Sequence, residues 1–147
     1  MLVKEYMTTA VTSLPDDGKL LDAALLIRRT GKRHVPIVSA ETGKVVGIIS
    51  DRDVARLAPS ILSKTSQEEY NQVFENTPIT MAMTKNPICV TPETPVTEAV
   101  QTLYTKKISA LLVVADGELK GILSVTDMLG LLNELLSSRT TDASAGM

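Results

Sequence analysis

The stretch Gly47-Ile48-Ile49-Ser50-Asp51-Arg52-Asp53 decides the reading of this chain, because it occurs twice. The second copy is Gly121-Ile122-Leu123-Ser124-Val125-Thr126-Asp127, displaced by 74 residues at both its glycine and its last aspartate. Each copy runs glycine, two apolar residues, serine, two variable residues, aspartate, and sits where a β-like run gives way to a helix-like one. Working outward, Met7-Thr8 returns as Met83-Thr84 and Asp22-Ala23 as Glu98-Ala99, both at an offset of 76. Val35-Pro36-Ile37-Val38 returns at the same offset as Leu111-Leu112-Val113-Val114. A fixed period of this kind marks a structural duplication. The offset changes between residues 39–46 and their counterparts 115–120, and a turn is where a duplicated fold tolerates an indel.

Each copy reads β-α-β-β-α, an α/β (α+β) pattern. In the first, residues 11–14 form a short extended run, and Asp16-Asp17-Gly18 offer caps for a helix over residues 19–30. Leu20, Ala23, Ala24 and Ile27 mark its apolar face, and Gly31 stops it because glycine tolerates positive φ. Residues 35–39 and 44–50 are β-branched strands around the turn Glu41-Thr42-Gly43, followed by a helix from Asp51 to near Pro59. In the second copy, residues 88–91 are the short strand, and Thr94 is the expected cap of a helix with Pro95 in its first turn. That helix carries Val96, Ala99, Val100 and Leu103. A hairpin over 110–115 and 118–124 turns at Asp116-Gly117. Thr126 is the expected cap of a last helix bearing Met128, Leu129, Leu131, Leu132, Leu135 and Leu136.

Between the copies, Ser66-Gln67-Glu68-Glu69 reads as a capping box ahead of Tyr70, Val73, Phe74 and Thr77 at helical spacing, with Pro78 beyond. The connector is therefore a packed helix. The organisation is a first repeat over 1–59, a helical connector over 60–82, a second repeat over 83–136 and a disordered Ser/Thr/Ala/Gly-rich tail over 137–147. At fewer than about 60 residues neither repeat buries enough surface to stand comfortably alone. The apolar last helix has surface to spare for the other repeat or for a second chain.

Composition removes several classes of function. With 15 Lys and Arg against 17 Asp and Glu, the net charge of −2 offers no footprint for nucleic acid or an acidic membrane. Three Tyr, one Phe and no Trp provide no stacking platform for single strands, and leave the core to aliphatic side chains. No apolar run approaches the ~20 residues that span a bilayer, and the acidic N-terminus, with no long apolar region, is not expected to be a signal peptide. One cysteine, Cys89, suits a reducing cytoplasm and reads as a small buried hydrophobe. One histidine, His34, with no second histidine makes a transition-metal site or a histidine-based triad a poor fit. No P-loop or dinucleotide-binding glycine motif is present. The chain is not expected to be an enzyme.

Two β-α-β-β-α copies, each closing on Gly-x-x-Ser-x-x-Asp and each preceded by Met-Thr, resemble a tandem pair of CBS domains, the Bateman module. The segments Ser50-Asp51-Arg52-Asp53-Val54 and Ala58-Pro59-Ser60-Ile61 are similar to the CBS pair of acetoin-utilisation B-type proteins. The resemblance implies a cytoplasmic, homodimeric regulatory module that binds AMP, ADP or ATP in clefts between the repeats and signals to another protein. It implies one site from Asp53, Ser50 and Ile48 with Ile88, Ile108 and Ser109 of the second copy. The other would use Asp127, Ser124 and Ile122 with Thr12, Lys32 and Arg33 of the first, and His34 stands beside them as a further phosphate contact. NAD or S-adenosylmethionine would also present a ribose to these aspartates.

The chemistry fits those roles. A carboxylate accepts charge-assisted bonds from two vicinal hydroxyls. The glycine is expected to let the backbone approach the ligand closely. Plainer readings stand beside these. Asp53 and Asp127 are also ordinary first-turn helix residues, Ser50 and Ser124 ordinary caps, and Lys32-Arg33-His34 ordinary charge at a helix end. A module that kept the fold, lost the ligand and acts through homodimer and partner contacts is the alternative. The surroundings differ between copies: Arg33-His34 and Arg52 face Ser109-Ala110 and Thr126 in the alignment. One cleft is therefore expected to suit a charged phosphate tail better than the other.

Overall fold

The structure, a computed structural model, describes residues 1–58 and 66–145, with only the backbone of residues 140–145. The chain divides into two compact units, Val11–Pro87 and Met1–Ala10 with Ile88–Met147. It is a mixed α/β protein, and among the described residues two sheets hold four and three strands.

In the unit Val11–Pro87 the strands are β1 (Leu14–Pro15), β2 (His34–Val38), β3 (Val45–Ser50) and β4 (Thr84–Lys85), side by side in that order. β1 runs parallel to β2, while β2–β3 and β3–β4 are antiparallel. The helix α1 (Leu20–Thr30) buries Leu20 and Ala23 of the expected face together with Leu26, while Ala24 and Ile27 are only partly buried, and it ends on Gly31 at φ 72°. Asp16 does not cap it. Its Oδ1 accepts from the amide of Ala40 across the hairpin loop, and Asp22 takes the Lys19 amide instead. Helix α2 (Asp51–Leu57) follows β3 directly. Pro59, its expected stop, lies outside the described residues, as do 60–65 of the connector and the Ser60-Ile61 segment of the resemblance. Helix α3 (Gln67–Asn76) is capped by Ser66, whose hydroxyl accepts from the Glu69 amide. It puts Phe74 into the core with Tyr70 tilted against it at 5.1 Å, beside Ile79 and Ala82 of the short α4 (Ile79–Ala82). The connector is thus part of this unit's core. Leu20 donates its amide to Thr77 O and Ile79 to Gly18 O, which ties the connector's end to the start of α1.

In the other unit β5 (Cys89–Val90) runs parallel to β6 (Ala110–Ala115), and β6 is antiparallel to β7 (Glu118–Ser124). The turn has Asp116 at φ 54° and Gly117 at φ 79°, the two positive angles that a type I′ hairpin demands. Both hairpins slip register at the same aligned place, Ile37/Val38 and Val113/Val114. Helix α5 (Val96–Lys106) buries Val96, Ala99 and Leu103 and ends on Lys107 at φ 54°, where the first copy has glycine. Thr94 is not its cap: Thr94 Oγ1 accepts from the Thr91 amide, and Pro95 holds the cap position without a side-chain bond. The last helix, α6 (Val125–Ala145), runs on through the segment expected to be a disordered tail. Once a helix is nucleated, each added residue fixes one set of angles and gains one hydrogen bond, so weak formers such as Ser and Thr extend it.

Met1–Ala10 belongs to this second unit. Val3 is fully buried among Ala99, Leu103, Leu111, Val113 and Leu123, and the Val3 amide donates to Thr94 O at 2.9 Å. Thr8 and Ile122 exchange both backbone bonds at 2.9 Å, so the Met7-Thr8 segment edges β7. Met83-Thr84 does the same for β3. Each Met-Thr segment therefore edges the hairpin of the copy it does not introduce. Both cores are aliphatic apart from Phe74 and the flanking tyrosines. Among the described residues no helix is long and apolar enough to cross a membrane.

Candidate functional site

The doubled stretch has the same local geometry in both units. Its glycine is set by strand contact. A Cβ on Gly47 would lie 2.6 Å from Met83 Sδ and 3.0 Å from Thr84 O, and one on Gly121 would lie 2.7 Å from Thr8 O and 2.9 Å from Met7 Sδ. The close approach that glycine permits here is that of a neighbouring Met-Thr segment. Ile48 and Ile122 alternate with the fully buried Ile49 and Leu123, and so stand half-buried on the sheet face opposite the core helices.

Ser and Asp close a reciprocal cap. The Ser50 amide donates to Asp53 Oδ2 at 2.8 Å, and the Asp53 amide returns to Ser50 Oγ at 3.2 Å. In the second unit Ser124 N reaches Asp127 Oδ2 at 2.8 Å, and Asp127 N reaches Ser124 Oγ at 3.1 Å. Ser124, the last extended residue of β7, is the cap of α6 in place of Thr126. The cap spends one carboxylate oxygen and leaves the other, Oδ1, to outside donors. Arg56 Nη2 holds Asp53 Oδ1 at 2.9 Å, and the Thr8 hydroxyl meets Asp127 Oδ1 at 3.4 Å. Neither partner was among the sequence candidates. Arg56 lies three residues from Asp53, a spacing that brings side chains together on a helix. Thr8 is 119 residues from Asp127 and offers no local signal.

The segment ahead of the second strand lies against each cap. The Asp51 amide donates to Arg33 O at 3.0 Å, and the Val125 amide to Ser109 O at 2.9 Å. Lys32, Arg33 and His34 therefore sit beside Ser50 and Asp53, with His34 paired to Ser50 across the strands. Ile108 and Ser109 sit beside Ser124 and Asp127 in the same way, with Ala110 opposite Ser124. Thr12 is exposed two residues ahead of β1, at the His34 end of β2. Exposed Ile88 precedes β5, and its carbonyl accepts the Leu112 amide. Thr12, Lys32, Arg33, His34, Ile48, Ser50 and Asp53 thus belong to one unit, and Ile88, Ile108, Ser109, Ile122, Ser124 and Asp127 to the other.

Burial holds the His34 pKa below its ordinary value, against the raising influence of Asp51 and Asp53 and with the lowering influence of Arg33 and Arg52. The imidazole is neutral at neutral pH and can donate or accept a hydrogen bond. The cations Lys32, Arg33, Arg52 and Arg56 align with Ile108, Ser109, Thr126 and Gly130, so the charge is concentrated around the first cap. Cys89 is exposed, contrary to expectation, because the short edge strand turns its neighbour Val90 to the core. Partial burial still raises the thiol's pKa, which keeps it protonated.

A family model described as "CBS domain" matches residues 3–60 and 78–134. Among curated proteins, the Arabidopsis thaliana CBS domain-containing protein CBSCBSPB5 is 30% identical over 86% of this chain, and the match spans 21% of that protein. The chain thus spans about a fifth of the length of the first such relative. The Bacillus subtilis CBS domain-containing protein YhcV is 28% identical over 86% of this chain and 81% of its own length. Among solved structures, a putative acetoin utilization protein (AcuB) from Vibrio cholerae superposes with a TM-score of 0.77 at 30% identity, covering 96% of both chains. The CBS domain pair of protein MJ0100, in complex with 5-methylthioadenosine and S-adenosyl-L-methionine, superposes at 0.75 with 25% identity over 91% of this chain and 97% of its own.

Proposed function

This chain belongs to the CBS domain family, and from that premise we propose that it is a regulatory module that binds adenosine nucleotides of the AMP, ADP and ATP class. The observation that carries this reading is the repeated carboxylate geometry. In both units one oxygen of the motif aspartate is fixed by the serine amide at 2.8 Å while the other faces outward donors. A carboxylate oriented in that way is prepared to accept a ribose hydroxyl. The adenosine compounds bound by the CBS pair of MJ0100 support an adenosine-type ligand. The module catalyses no reaction. It works in the cytoplasm and passes ligand occupancy to a protein partner by a shift in the populations of its conformations.

A second copy is the proposed partner of α6. Val125, Leu129, Leu132 and Leu136 are all exposed, spaced four, three and four residues apart, which is the seam that packs against another helix. Isothermal calorimetry with AMP, ADP and ATP on protein stripped of ligand by unfolding and refolding tests the nucleotide reading. Saturable binding is expected, and silence at millimolar nucleotide rejects it. Mass spectrometry of compounds released from untreated protein identifies the native ligand.

One observation favours a second reading, a ligand-free interaction module. The glycine, serine and aspartate of the doubled motif already have structural roles, the glycine in strand contact and the serine and aspartate in the cap. On that reading Asp53→Ala and Asp127→Ala change stability but not any ligand-induced shift in melting temperature.

A further inference from the structure

The two motif carboxylates share one half of their geometry and differ in the other. Asp53 Oδ2 and Asp127 Oδ2 each take a serine amide at 2.8 Å. Asp53 Oδ1, however, is paired with Arg56 at 2.9 Å, whereas Asp127 Oδ1 is met by the neutral Thr8 hydroxyl at 3.4 Å, which is long for an O–H···O bond. The residue aligned with Arg56 is Gly130, where an added Cβ would meet nothing within 4 Å. The first carboxylate is thus covered by its own cation and the second is not.

We propose that Arg56 sets which adenosine ligands the unit Val11–Pro87 takes, closing Asp53 to a ligand that offers only hydroxyls and yielding it to one that also carries phosphate. This rests on the nucleotide-binding reading above. A ribose hydroxyl must compete with the guanidinium for Asp53 Oδ1. A nucleoside that wins displaces Arg56 without giving it a new partner. A nucleotide supplies both halves of an exchange: hydroxyls for Asp53, and for Arg56 a phosphate, to which guanidinium binds by paired charge-assisted bonds. The Arg56 side chain is 68% exposed against 13% for Asp53, so the arginine is the member free to move, and its solvent-exposed guanidinium yields at small cost. Arg33 and Arg52, close enough to act on His34, add to the field that an incoming phosphate meets. Around Asp127 the aligned positions are Ser109, Thr126 and Gly130, so that carboxylate has no counterpart of Arg33, Arg52 or Arg56 in its own copy.

The test is a titration of isotope-labelled protein with adenosine and with ATP, followed by NMR at single amides. Ser50 and Asp53 report one unit, and Ser124 and Asp127 the other. In Arg56→Gln, adenosine should bind about two- to fivefold tighter at the Ser50 and Asp53 amides, the value of an exposed ion pair. ATP should bind there about tenfold weaker, from loss of a charged hydrogen bond. The amides of Ser124 and Asp127 should keep their affinities. The converse variant Gly130→Arg, which has room to fold, should transfer a preference for ATP to the Asp127 unit. An unchanged ATP-to-adenosine ratio in both variants, with both ligands bound, overturns the role of Arg56 and leaves the nucleotide reading standing. Absence of ligand shifts at all of these amides, in wild type and variants alike, overturns both.

Discussion

Substituting alanine for each motif glycine separates a structural requirement from a ligand requirement, and the two substitutions should differ in size. In Gly121→Ala the new methyl lies 2.7 Å from a backbone atom, Thr8 O, where ordinary contact begins near 3.4 Å. That oxygen cannot rotate away, because Thr8 and Ile122 are joined by two backbone bonds of 2.9 Å. Relief requires the Met7-Thr8 segment to lift. Overpacking costs about 1–3 kcal/mol, weakened backbone bonds about 0.5–1.5 kcal/mol each, and the stiffer unfolded chain returns about 0.4–1 kcal/mol. The net expectation is a loss of about 2–3 kcal/mol, or roughly 6–10 °C in Tm for a chain of this size. In Gly47→Ala the nearest atom is Met83 Sδ at 2.6 Å, the flexible end of a side chain, and Thr84 O is farther off at 3.0 Å. Methionine repacks readily, so the loss should stay at about 1–2 kcal/mol. Urea unfolding followed by circular dichroism measures both, and hydrogen exchange at the Thr8 and Ile122 amides should show that pair opening first in Gly121→Ala. A Gly121→Ala protein as stable as wild type, or one less affected than Gly47→Ala, would refute the steric reasoning.

Other outcomes follow from named groups. The folded-state pKa of His34 is lowered by burial, so below its ordinary value of 6.5 the unfolded chain takes up a proton that the folded chain refuses. His34 therefore leaves stability intact above that value and erodes it as pH falls toward the lower folded pKa. His34→Gln should flatten the stability–pH curve in that window, and an unchanged slope speaks against burial of the imidazole. Lys107 holds at φ 54° the position where the first copy has Gly31, so Lys107→Gly should raise stability by about 0.5–1 kcal/mol in thermal unfolding. A destabilised variant would show that the lysine side chain matters more than its backbone angle. Leu129→Glu and Leu132→Glu place charge on the exposed α6 seam. Light scattering should find these variants monomeric with unaltered far-ultraviolet dichroism, and retention of a dimer would assign the contact to another surface.

Much of the fold was legible because its signals are local. The apolar spacing of Leu20, Ala23 and Ile27, the Asp116-Gly117 turn and the Gly31 stop each report on a few neighbouring dihedral angles. The helix caps were harder. Thr94, Asp16 and Thr126 are all good capping residues placed near helix starts, but only the extended residue immediately ahead of the first helical turn points its oxygen at the third helical amide. At α6 that residue is Ser124. The exposure of Cys89 was hidden for a related reason: on a two-residue strand, alternation alone does not say which residue faces in.

Apart from the short β4 and α4, the sequence by itself determined the order and type of the elements, their duplication in register, and the Ser-x-x-Asp pairs at two helix starts. All of these are encoded within a few residues of one another. Tertiary structure alone decided which hairpin each Met-Thr segment edges, and hence which residues meet the second oxygen of each motif carboxylate. A β-bridge is made by backbone groups that every residue carries, so residue type does not name its partner. The choice is made by the burial of Val3 in the second unit's core and by two glycines that leave room for a methionine and a carbonyl.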